Sequence, residues 1–150
     1  MPFTGFTSET GEFLWELAFH NEKPWFEAHK EQFLRAVKEP FDALAKETLV
    51  LMRQKHPDEP YSLHISRIYR DARRLFGRGP YKDHLWFTLW TGEDRHNSPV
   101  FWFELSPASF SYGVGFYTAT AEQMAALRRY IDANPAEMER LARRVAKSEF

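Results

Sequence analysis

His84-Leu85-Trp86-Phe87-Thr88-Leu89-Trp90-Thr91 separates into two sets, Leu85/Phe87/Leu89 and His84/Trp86/Thr88/Trp90. A period of two predicts a strand with one wholly apolar face and one face of tryptophans beside a threonine and a histidine. Upstream, Leu63 to Arg70 alternates less regularly and reads as another strand, with Arg67 on the face of Leu63, Ile65 and Tyr69, the core side. Downstream, Val100 to Leu105 is apolar at almost every position, the pattern of a strand covered on both faces. Phe110 to Tyr117 places Phe110, Tyr112, Val114 and Phe116 on one side and Ser111, Gly113 and Gly115 on the other. Those small residues let another group come close to the backbone. The short polar connections at 92–98 and 106–109 predict antiparallel hairpins or a meander.

Helices flank this block. Thr7 or Ser8 starts the first, with Phe13, Leu14, Leu17 and Ala18 as its stripe. Asn21-Glu22-Lys23-Pro24 ends it and opens a second, in which Phe26, Phe33 and Val37 form the apolar side. Pro40 predicts a break or kink before the stripe resumes at Phe41, Leu44, Leu51 and Met52. After the strands, Thr120 with Gln123 fits a capping box, and Asn134-Pro135 starts a last helix. The expected fold is α+β: N-terminal helices packed on a mainly antiparallel sheet of about four strands, followed by two C-terminal helices, in a single domain over residues 1–150.

The chain has 150 residues, 20 Lys+Arg against 21 Asp+Glu, and a formal net charge of -1. That balance excludes a globally cationic nucleic-acid binder but not a local basic patch. Aromatics make up 17% and cysteine is absent, which rules out disulfides, thiol catalysis and Cys-ligated metal. No apolar run approaches the roughly 18 residues of a membrane span. A soluble, cytoplasmic protein with no membrane partner is the expectation.

The charge that does stand out is local. Residues 64–84 carry Arg67, Arg70, Arg73, Arg74, Arg78 and Lys82 against Asp71 and Asp83, a local net of +4. Guanidinium forks bind phosphate or carboxylate bidentately, so such a patch favours an anionic ligand. Arg70, Arg73, Arg74, Tyr81, Lys82 and His84 are the expected ligand contacts, with Arg67 supporting them from the core side. The loop Arg74-Leu75-Phe76-Gly77-Arg78-Gly79-Pro80 can present backbone amides, although it matches neither the phosphate-loop nor the dinucleotide glycine pattern. If the site is catalytic, Asp71 or His84 handles the proton. Two other readings stand beside this one. In the first, Arg67, Arg70 and Asp71 form an ion-pair network with Glu104 or helix carboxylates in a protein-interaction or structural module. In the second, Asp71, Glu104 and Lys82 serve an Mg²⁺-dependent nucleic-acid-processing enzyme. Nucleic acid is the less favoured partner, the sequence names no cofactor or protein partner, and no metal site has recognisable spacing.

Four ordered blocks, Phe3-Thr4-Gly5-Phe6, Asn21-Glu22-Lys23-Pro24-Trp25-Phe26, Ser66-Arg67-Ile68-Tyr69-Arg70-Asp71-Ala72-Arg73 and Pro80-Tyr81-Lys82-Asp83-His84, are joined by Gly113-Val114-Gly115-Phe116-Tyr117 and Leu127-Arg128-Arg129-Tyr130-Ile131. Together they resemble the signature blocks of the conserved-hypothetical family known as domain of unknown function 2461, found in bacteria and fungi. The resemblance covers nearly the whole chain and implies no particular activity or catalytic residue. It departs at Arg74 to Gly79, where the family usually has a lysine-bearing stretch, and it implies a family domain that continues past Phe150.

Overall fold

Thr7 caps the first helix in an extended conformation, and its N–H donates to the Thr10 hydroxyl at 3.3 Å. The helix, α1 (Ser8–Phe19), buries Phe13, Leu14 and Leu17 as its spacing predicts, but leaves Ala18 exposed. After Asn21 the chain is helical almost without pause: α2 (Lys23–Ala28), α3 (Lys30–Phe33), a π-helical turn at Leu34–Lys38, and α4 (Glu39–Lys55). Of the expected break or kink at Pro40, no break is found: the helix runs on, and its irregularity is the π turn that ends two residues before the proline. Pro40 lacks the N–H that would meet the Ala36 carbonyl in an α-helix. The buried Thr10 hydroxyl donates to that carbonyl instead, at 2.7 Å. Thr10→Val keeps the shape and removes the donor, so it should cost about 1–3 kcal/mol in urea unfolding. A loss below about 0.5 kcal/mol would show that the carbonyl does not depend on Thr10.

The computed structural model describes residues 2–148 and divides between Phe116 and Tyr117 into two compact units. In the first, strands β1 (Ser62–Ile65), β2 (Leu85–Trp90), β3 (Val100–Leu105) and β4 (Phe110–Gly115) form an antiparallel sheet in the order β1-β2-β3-β4. Leu85 and Phe87 of β2 and Leu105 of β3 join Phe13, Phe26, Val37 and Phe41 from the helices in one core. Phe103 stacks on Phe87 at 5.4 Å and meets Phe41 at 6.1 Å, which carries the helix–sheet contact into the middle of β3. The other sheet face, turned away from α1–α4, carries His64, Trp86, Thr88, Trp90, Trp102 and Glu104 by strand parity.

Two sequence expectations are corrected here. β3 is not covered on both faces: Phe101 is 41% and Trp102 37% exposed. Arg67 does not lie on the core side; it and Tyr69 are exposed while Ile68 is buried. The phase slips at Ser66, which is buried. Its hydroxyl accepts from Trp86 N–H at 2.9 Å, its own N–H donates to the Trp86 carbonyl at 2.8 Å, and regular pairing ends there.

The second unit holds α5 (Ala121–Ala133) and α6 (Pro135–Val145). The Thr120–Gln123 capping box is present, with bonds of 2.8 and 3.1 Å. The Tyr130 hydroxyl donates to Glu137 at 2.8 Å and ties the two helices together. Among the described residues no helix is long and apolar enough to cross a membrane.

Candidate functional site

The basic segment is anchored by a short ladder. Arg70 N–H donates to the Pro80 carbonyl at 2.8 Å and Lys82 N–H to the Ile68 carbonyl at 2.7 Å, with Tyr69 opposite Tyr81. Asn21 clamps the ladder from outside. Its side-chain amide donates to the Tyr81 carbonyl and its oxygen accepts from Tyr81 N–H, both at 2.9 Å, as a neighbouring strand would. Arg70 Nε donates to the same carbonyl at 2.8 Å. The Tyr81 ring is buried and stacked on Phe26 with centroids 4.1 Å apart, so this expected ligand contact sits in the core. Burial, and then Tyr69 and Glu27, raise its hydroxyl above the usual tyrosine range.

Beyond the ladder the loop turns on itself. Asp71 accepts from Arg73 N–H, Nε and Nη2 at 3.0, 3.0 and 2.8 Å, and begins the single 3₁₀ turn Ala72–Arg74. The Arg73 hydrogen bonds hold Asp71 down to about 2, so near neutrality it is a fixed carboxylate rather than a proton donor. Arg78 donates to the loop's own carbonyls, and Arg74 is exposed. Phe76 and Gly77 follow each other at φ 47° and 79°, an unusual conformation for an aromatic residue.

Lys82 turns the other way, to the sheet face. Its Nζ lies 5.9 Å from the Trp86 ring centroid, Arg95 Cζ lies 5.7 Å from that ring, and the His64 ring is 5.2 Å from it. Trp86 is therefore the hub of two cations and a histidine. Burial, and then the Arg70 charge, lower the Lys82 amine. Burial lowers His64 as well, followed by the charges of Arg95, Lys82 and Arg67. Among the described residues, no ion pair involves Arg67, Arg70, Lys82 or Arg95. His84 lies one step before β2, with its Nδ1 2.9 Å from Asp83 Oδ1. Burial raises Asp83, but the His84 hydrogen bond, its own backbone bond and the charges of His84 and Arg70 outweigh that and lower it.

The predicted residues thus fall into two groups. Arg73, Arg74 and Asp71 occupy the loop tip; Arg70, Lys82 and His84 stay near the sheet, where Arg67 adds its charge. Arg95 and Asn21 were not among the sequence candidates. Arg95 sits in a polar connection like many others, and Asn21 acts across 60 residues of chain. Among the described residues, no group of three or more His, Asp or Glu is placed to hold a metal ion.

The depressed His64 sets a pH test. Between its folded value and 6.5 the unfolded chain binds the extra proton, so stability should fall as pH drops below 6.5. Below the folded value the whole penalty is present. His64→Gln should flatten that limb of a melting-temperature profile. Sulfate, whose charge is constant in this range, should partly restore it in the wild type. An unchanged limb in His64→Gln would assign the acid sensitivity elsewhere.

Fold and site together define an α+β domain whose four-stranded sheet presents a cation-flanked tryptophan face. The family model described as "Conserved hypothetical protein (DUF2461)" matches residues 9–150, and the chain belongs to that family. No curated protein and no solved structure matches the chain.

Proposed function

We propose that this chain binds a phosphate- or carboxylate-bearing ligand on the sheet face around Trp86, through Lys82, Arg95, Arg67 and Arg70, with His64 and His84 at its flank. One observation carries the reading: Lys82 and Arg95 flank the Trp86 ring, Arg70 and the exposed Arg67 add their charges nearby, and none of the four is in an ion pair among the described residues. Gathering like charges costs folding energy, and an anion that accepts from several of them offsets it. Arg73 and Arg78, satisfied within their own loop, contribute field rather than contacts. The cysteine-free composition agrees with a reducing, cytoplasmic compartment.

The test is a titration with inorganic phosphate, sulfate and citrate, followed by tryptophan emission, since Trp86 stacks with both cations. Arg95→Ala should weaken binding about tenfold or more and Arg74→Ala by less than about threefold. Saturable binding with equal losses in the two variants would place the site on the loop tip. No saturable response to any of the anions would sink the reading.

A further inference from the structure

Beside the cation cluster lies a flat indole. Trp102 pairs with Gly113 on β4, and a Cβ built at Gly113 would stand 3.1–3.2 Å from Cζ2, Cε2 and Nε1 of the Trp102 ring. The indole therefore rests on the glycine, and Trp102 is 37% exposed. Gly113 is small because the ring occupies the space a side chain would need.

The register sets the Trp102 backbone diagonal to the Trp86 that the cations flank, while its indole leans over β4. Trp102 faces Thr88, and Trp86 is two residues back on the same strand, a diagonal neighbour about 7–8 Å away. Glu104 stands opposite Trp86 on the same face, a carboxylate in no ion pair among the described residues. Thr88 Oγ1, Trp90 Nε1 and Arg95 Nη1 are buried without a hydrogen-bond partner. Three such atoms, all in or just after one strand, call for a partner from outside the chain, a water or a ligand.

We propose that the anion is the phosphate of a nucleotide unit, held by Lys82, Arg95 and Arg67, with its base stacked on Trp102 and its ribose hydroxyls donating to Glu104. This rests on the anion-site reading above and deepens it. A group of at least three cations suits a phosphate dianion better than a single carboxylate. An exposed aromatic face beside phosphate contacts on an open antiparallel sheet is how proteins stack unpaired bases. A free ribonucleotide and a residue of a single RNA strand both offer this face a base, a ribose 2′-hydroxyl and an anionic phosphate, the strand's as a singly charged diester.

The deciding experiment titrates inorganic phosphate, ribose 5-phosphate, AMP, UMP and a short oligouridylate into wild type, Trp102→Ala, Trp102→Phe, Gly113→Val and Lys82→Ala. AMP and UMP should bind about tenfold or more tighter than phosphate. Trp102→Ala and Gly113→Val should erase that advantage and leave phosphate affinity unchanged, whereas Trp102→Phe should keep most of it. Lys82→Ala should weaken all probes together. An oligouridylate that binds more tightly than UMP, with a steep salt dependence, identifies a strand as the source; equal or weaker binding identifies the free nucleotide. Nucleotides no tighter than phosphate, or an advantage that survives Trp102→Ala, overturn the nucleotide assignment and leave the anion site standing. No binding of phosphate or of any other probe overturns both. Circular dichroism verifies that each variant is folded, and Trp102→Phe with Gly113→Val decides the matter if Trp102→Ala is not.

Discussion

Gly79→Ala is expected to destabilise the first unit by about 3 kcal/mol, as much as removing a large core side chain. The space a methyl group would need at residue 79 is filled by the Asn21 side-chain amide, and the Asn21 backbone carbonyl would stand 2.5 Å from the new carbon. That amide cannot step aside cheaply, because it holds both backbone groups of Tyr81. The substitution therefore combines overpacking with the loss of two hydrogen bonds whose backbone partners are part-buried. Asn21→Ala alone should cost about 2 kcal/mol. In Asn21→Ala the second change, Gly79→Ala, should cost less than in wild type but not nothing, since the carbonyl remains. Urea unfolding of the four proteins measures the coupling. A Gly79→Ala protein within about 0.5 kcal/mol of wild type would show that the clamp is not rigid. Because Lys82 follows the clamped residue, anion affinity should fall in the same variants.

Lys82→Met is expected to do the opposite to stability while it weakens the proposed anion binding. In the free protein the Lys82 ammonium is penalised by burial and by Arg70, so its removal should leave the melting temperature unchanged or raise it. Binding of inorganic phosphate should fall about tenfold or more, the loss of one charge-assisted contact. The pH dependence follows from the same shift. With the folded amine below 10.5, the penalty is complete below the folded value and is relieved as pH rises toward 10.5. Wild type should therefore gain stability relative to Lys82→Met over that alkaline window. A structural ion-pair network predicts a different pattern, in which Lys82→Met melts at lower temperature and phosphate binding does not change. Calorimetry with and without phosphate separates the two.

Both results bear on one arrangement. The Asn21 clamp holds Tyr81 in the core, which sends the next residue, Lys82, to the opposite side and over Trp86. Part of the stability of the first unit is thus spent on keeping a cation where it is least comfortable. Sites that bind ligands tightly are commonly strained in this way before the ligand arrives.

Local patterns were legible in the residues themselves. The alternation of residues 84–91 correctly separated the core face from the tryptophan face, and Thr7, Pro24 and the Thr120–Gln123 pair marked helix starts. These features depend on neighbours within a few positions, so periodicity and capping chemistry reveal them. The local excess of positive charge at 64–84 was equally plain. Its division into a self-satisfied loop tip and a sheet-facing group was not, because that depends on which carbonyls and carboxylates each arginine reaches.

Four decisions belonged to the tertiary structure alone. Ser66 substitutes its hydroxyl for a backbone acceptor and so turns Arg67 outward and Ile68 inward, a slip no alternation pattern contains. The connection after β2 carries Arg95 back to Trp86, four residues before the strand's end, which its polar composition does not signal. Asn21 meets Tyr81 across 60 residues, and Trp102 rests on Gly113 only because β3 and β4 pair in that register. Sequence by itself determined which residues are apolar, capped or charged; the positions of cations and indoles relative to one another were set by non-local packing, where the free energy of burial selects among arrangements that local propensity leaves equivalent.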